Sequence, residues 1–142
     1  MNFRPQDLLD SLAPSTQATI VALQGELGAG KTTFTQEVGK LLGVTENMHS
    51  PTFVIMKVYE INYKPARQSG GGGFKHLIHI DAYRLENDAE LLHLGWEEII
   101  KEPENLVFIE WPENVAGIIP ENAKRISFKH VDDATRAINY ES

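Results

Sequence analysis

Residues Gly25-Glu26-Leu27-Gly28-Ala29-Gly30-Lys31-Thr32 fit, at every position, a pattern of glycine, four residues, glycine, lysine and a hydroxyl residue. Few octapeptides restrict a fold as much. The glycines let the backbone curl until several N–H groups face one anion, and a helix opening at the loop turns its positive end to the same point. The flanks carry both elements that this geometry needs. Ala18-Thr19-Ile20-Val21-Ala22-Leu23 is short, apolar and β-branched, and reads as a buried strand. Beyond the loop, Phe34, Val38, Leu41 and Leu42 recur at helical spacing, and Gly43 marks a C-terminal stop. With glycine at roughly 7% of residues, and lysine and Ser/Thr near ~6% and ~12%, a chance match in a chain of this length has a probability on the order of half a per cent. A strand, phosphate loop and helix are therefore expected, with Lys31 reaching the outer phosphates and Thr32 a magnesium ion.

The 142 residues are expected to form one domain over 1–142, large enough to bury about two thirds of its unfolded surface. Cysteine is absent, which excludes disulfides, thiolate catalysis and Cys-ligated zinc and fits a reducing compartment. Met1 to Ala13 has no basic-then-apolar leader and no apolar run is long enough to span a bilayer, so a cytoplasmic protein without a membrane partner is expected. The net charge of −7 argues against a broad nucleic-acid-binding face, which presents Lys and Arg in excess. Any link to nucleic acid is expected to run through a partner protein.

Further along the chain, Pro5 to Leu12 reads as a short amphipathic helix, with Pro5 at a first helical position and Leu8, Leu9 and Leu12 on one face. Ser50-Pro51-Thr52-Phe53 reads as a turn into a strand over Val54 to Ile61. Lys64 to Gly73, with Pro65 and four consecutive glycines, reads as a flexible surface loop. Lys75 to Ile80 is a further strand, and Asn87-Asp88 caps a helix carrying Leu91, Leu92 and Leu94 that continues through Trp96 to Ile100. Leu106 to Ile109 is another buried strand, and Arg125 to Lys129 and Thr135 to Tyr140 read as antiparallel edge strands. Helices alternating with apolar strands imply an α/β sheet, parallel at its centre.

Phosphate binding alone is not hydrolysis, which also needs a held magnesium ion and an oriented water. Asp81 and Glu110 each follow a buried strand, and the ligand crevice of an open α/β sheet lies outside the carboxyl ends of its strands. Either acid could hold the metal, or cap a turn. Thr52, stiffened by Pro51, is either a switch-loop hydroxyl or a turn cap. His79 shares a strand face with Asp81, as a site residue or a core histidine. Trp111 is a packing aromatic or a nucleotide or partner contact. Arg84, close behind Asp81 with Tyr83, either neutralises phosphate charge or pairs with Glu86.

Taken together, Gly25 to Thr33, Ser50-Pro51-Thr52-Phe53, His79-Ile80-Asp81-Ala82-Tyr83-Arg84-Leu85 and Ile109-Glu110-Trp111-Pro112 resemble one family. It is the TsaE (YjeE) family of small P-loop ATPases, which serve tRNA threonylcarbamoyladenosine synthesis in bacteria, and the resemblance spans about Gln24 to Arg136. It implies a P-loop NTPase-like three-layer α/β fold, a central parallel sheet flanked by antiparallel strands. It implies ATP and magnesium as ligands, with Gly28, Ala29, Gly30, Lys31, Thr32 and Thr33 around the phosphates and Thr32 and Glu110 on the metal. Asp81 would position or activate water, Thr52 would serve as a switch-like residue, Trp111 as a signature aromatic, and Arg136 would lie near the nucleotide beside Asp132-Asp133-Ala134. The family acts with TsaD and TsaB, ATP hydrolysis permitting repeated turnover, so tRNA is met only through that complex. Two features depart from the family: the Lys64 to Gly73 insertion, and the lack before Thr19 of a clear counterpart to a threonine near the adenine.

Two other functions fit the same loop. A small-molecule kinase needs an acceptor pocket and a lid with several arginines, whereas Lys64 to Gly73 holds only Lys64 and Arg67. A nucleotide-dependent interaction switch would order the Thr52 segment around the outer phosphate. Adenine rests on the resemblance alone, since no Asn-Lys-x-Asp sequence reads a base here.

Overall fold

The computed structural model describes residues 3–13, 15–26, 30–49, 51, 54–61, 73–132 and 135–141, with the backbone alone at 130–132, 135–139 and 141. Six strands form one sheet: β1 (Thr19–Gly25), β2 (Met56–Glu60), β3 (His76–Asp81), β4 (Asn105–Glu110), β5 (Lys124–Asp132) and β6 (Thr135–Glu141). Their order is β2-β3-β4-β1-β5-β6. β3, β4, β1 and β5 run parallel, and β2 and β6 close the two edges antiparallel. This is the expected α/β architecture.

Period-2 alternation in β1 builds both faces of the sheet. Val21 and Leu23 point into a core with Leu8 and Leu9 of helix α1 (Pro5–Ser11) and with Phe34, Val38 and Leu42, contributed by helix α2 (Lys31–Leu41) and its cap. Ile20 and Ala22 point into a second core with Leu91 of α3 (Asp88–Leu92), Trp96 of α4 (Trp96–Lys101) and Val115. Helices thus cover the sheet on both sides, giving three layers. Every residue of β4 is buried, as a central parallel strand requires.

The structure corrects four expectations. The helix foreseen from Asn87 through Ile100 is two helices, because Gly95 adopts φ 92 and breaks the chain direction between them. Only Leu91 of its three leucines is core; Leu92 and Leu94 are 40% and 39% exposed. β5 is not an edge strand, since β1 pairs with it in parallel on one side and β6 antiparallel on the other. Residue alternation reports which faces are covered and not how many neighbours a strand has. The strand foreseen from Val54 begins at Met56, because Ile55 takes a left-handed φ of 73 in the preceding turn. Leu41, placed on the buried face of α2, is 42% exposed, and Leu42 packs inward instead. The expected loop over Lys64 to Gly73 lies, apart from Gly73, outside the described residues.

Candidate nucleotide site

Because β1, β3 and β4 run parallel, their carboxyl ends share one edge of the sheet. Gly25 ends β1, Asp81 ends β3 and Glu110 ends β4. Asp81 and Glu110 are register partners, and Leu23 of β1 also pairs with Glu110. The backbone N–H of Ala82 donates to the Glu110 carbonyl at 2.9 Å and ties the exits of β3 and β4 together. Gly30 caps α2 in a left-handed conformation (φ 99), so the helix opens at the same edge with Lys31 as its first residue.

Three side chains meet on Glu110 and Lys31. The Thr32 hydroxyl donates to Glu110 Oε2 at 2.7 Å, and His79 Nε2 lies 2.6 Å from that same oxygen. Burial raises the Glu110 carboxyl, but the His79 and Thr32 hydrogen bonds and the Lys31 charge outweigh it, leaving the pKa below the usual glutamate value. Lys31 is 4% exposed; its Nζ donates to the Gly25 carbonyl at 2.7 Å and lies 3.8 Å from the centre of the Trp111 ring. Burial lowers the Lys31 pKa, opposed by the charges of Glu110, Glu113 and Asp81.

Sequence reasoning left open whether His79 and Trp111 were site residues or packing. Both belong to the cluster. Trp111 leaves β4 with a positive φ of 59, which turns its ring back over Lys31 and beside Tyr83, the two rings lying 5.1 Å apart at 53°. The Asp81 carboxylate accepts the Tyr83 backbone N–H at 3.0 Å, a turn-capping bond made at the strand end. Thr33 follows on the exposed side of α2. Gly28, Ala29, Thr52 and the side chain of Arg136 lie outside the described residues. One contributor had no signal in the sequence: Asn114, in the kinked 3-10 segment Pro112–Ile118, donates its amide N–H to the Ala82 carbonyl at 2.8 Å and joins the two acid-bearing turns.

Among the described residues no group of three or more His, Asp or Glu could hold a metal ion by itself. A hydroxyl and a carboxylate in hydrogen-bond contact are nevertheless the donor set that suits magnesium, which is commonly held by one or two carboxylates together with phosphate oxygens and water. Thr32 and Glu110 fit that description, the hydroxyl at the opening turn of α2 and the carboxylate at the end of β4. Among the described residues no helix is long and apolar enough to cross a membrane.

Comparison with known proteins gives a consistent result. The family model for "Threonylcarbamoyl adenosine biosynthesis protein TsaE" matches residues 5–138. A protein of Bacillus subtilis named "tRNA threonylcarbamoyladenosine biosynthesis protein TsaE" is 33% identical over 121 residues, covering 85% of this chain and 68% of its own. The protein of the same name from Treponema pallidum is 34% identical over 122 residues, covering 86% and 81%. The crystal structure of Bacillus subtilis YdiB superposes with a TM-score of 0.67 and 26% identity over 98% of this chain and 80% of that one.

Proposed function

The chain belongs to the TsaE family, and from that premise we propose that it is a cytoplasmic ATPase required for tRNA threonylcarbamoyladenosine modification. Its hydrolysis of ATP supports turnover of a TsaD and TsaB complex, and it meets tRNA only through them. The observation that carries this reading is the 2.7 Å contact between Thr32 Oγ1 and Glu110 Oε2. It joins the first turn of the phosphate-loop helix to the acid at the end of β4, the pair of ligands a nucleotide-bound magnesium needs. The acidic net charge of −7 agrees with a hydrolase that drives a partner rather than one that grips RNA.

Gly28, Ala29, Gly30 and Thr33 belong to the phosphate cradle, and Lys31 neutralises the outer phosphates. The Lys31 ammonium contacts a neutral carbonyl and an aromatic face. Both are weaker partners for an ammonium than a phosphate oxygen, so the lysine is held close by without being committed. Thr32 and Glu110 hold magnesium, which when bound offsets the charge that develops on the phosphates. Asp81, at the end of the neighbouring strand, orients the attacking water. Thr52 and Arg136 complete the nucleotide contacts, and Trp111 shields the lysine from solvent.

ATP hydrolysis measured with and without TsaD and TsaB tests the reading: stimulation is expected, and a rate unaffected by the partners would sink the role in turnover. Glu110→Ala removes a metal-holding oxygen and is expected to lower magnesium-dependent hydrolysis by at least about a hundredfold. An undiminished rate would show that Glu110 holds no metal.

A further inference from the structure

His79 is fully buried near the end of β3, two residues before Asp81. Its Nε2 lies 2.6 Å from Glu110 Oε2, while Nδ1 is buried and has no hydrogen-bond partner among the described residues. A residue kept only to fill the core is poorly served by such an arrangement. Leu or Met would pack at this position without leaving a polar atom unsatisfied. The other end of the ring accounts for the histidine. With the proton on Nε2, the neutral imidazole donates to the carboxylate and leaves a bare lone pair, not a stranded N–H, at Nδ1.

The geometry of Glu110 shows what this bond accomplishes. Both donors, the Thr32 hydroxyl and the His79 ring, converge on Oε2, so that Oε1 is held by neither. The two donors differ in kind. Thr32 belongs to the phosphate loop, and its hydroxyl is itself a ligand in the proposed site, so its bond to Glu110 is one that nucleotide and cation rearrange. His79 sits in the sheet, where Ile78 and Ile80 on either side pack into the core, and its ring has no comparable freedom. It is the fixed anchor of the pair.

We propose that His79 is a positioning residue whose Nε2–H fixes the orientation of the Glu110 carboxylate, presetting it for the divalent cation that accompanies the nucleotide. The inference rests on the proposed metal role of Glu110 and adds the residue that makes that carboxylate competent. Donors behind a metal-binding group set its orientation and basicity, and their loss typically costs about 10- to 100-fold in metal affinity.

The test uses the full chain and a fluorescent, non-hydrolysable ATP analogue, titrated in chelator and then with Mn2+, for wild type, His79→Leu, His79→Gln and Glu110→Gln. His79→Leu is expected to bind the analogue in chelator as wild type does and to lose about 10- to 100-fold in Mn2+ affinity of the nucleotide complex. His79→Gln, whose amide can donate from nearly the same place, is expected to recover much of that loss; a merely structural role would not be rescued by a donor. Wild-type Mn2+ affinity in His79→Leu, with the affinity lost in Glu110→Gln, overturns the role of His79 and leaves the metal role of Glu110 standing. Equal Mn2+ affinity in wild type and Glu110→Gln overturns both. Long-range 1H–15N spectra of the wild-type chain give an answer independent of how the variants fold. A proton on Nε2 of His79 supports the proposal, and a neutral ring protonated on Nδ1 overturns it.

Discussion

At the scale of single residues, Glu110 concentrates the electrostatics of the site. Its carboxyl is buried, which raises the pKa, yet the donors His79 and Thr32 and the charge of Lys31 bring it below the usual value. A carboxyl whose folded-state pKa is depressed binds a proton less readily in the folded chain than in the unfolded one. The stabilisation is fully present above the ordinary glutamate value of 4.5 and is lost as the pH falls through the depressed folded value. Denaturant unfolding of the chain without nucleotide should therefore show stability falling as the pH drops from 4.5 towards the depressed folded value, and Glu110→Gln should flatten this part of the profile. A variant with the same acid slope as wild type would place the titrating group elsewhere. Asp81 and Glu110 were legible in the sequence as paired acids because each ends an apolar run, a local pattern. The contact of His79 with Glu110 was not, since the two are 31 positions apart and meet only through the pairing of β3 with β4.

Among elements, the β1-loop-α2 unit was the most legible, because its strand, glycines and helical spacing lie consecutively in the chain. Gly25 and Gly95 show how differently two glycines with positive φ can be constrained. At Gly25, with φ 150, an added Cβ would sit 2.6 Å from the Phe128 carbonyl oxygen of β5. At Gly95, with φ 92, the nearest contact would be the Glu98 carboxylate at 3.8 Å. Gly95→Ala should cost only the backbone conformation, about 1 kcal/mol, whereas Gly25→Ala adds a clash with fixed backbone and should cost roughly 2–4 kcal/mol. Thermal unfolding should rank the two in that order, and an equal loss would mean that β5 yields at Phe128. The break at Gly95 could not be placed from sequence because Leu91, Leu92, Leu94 and Trp96 keep an apolar pattern across it. Apolar spacing does not register a change in chain direction.

For the whole molecule, stability depends on both faces of the sheet being covered. Phe108 lies in the middle of β4 at 0% exposure, in the core shared with α1 and α2. Phe108→Ala should cost about 3–5 kcal/mol through lost burial and the cavity left behind, lowering Tm by roughly 2–4 °C for each kcal/mol. A loss near 1 kcal/mol would mean that the layer above collapses onto the gap. The glycine-lysine pattern between strand and helix and the position of the two acids at strand ends were determined by the sequence, since each depends on residues a few positions apart. The tertiary structure decided which strands are neighbours. It set β5 inside the sheet, laid Trp111 over Lys31 and brought His79 onto Glu110. Those contacts depend on strand order and register, which are settled by packing between segments distant in the chain and leave no local pattern to read.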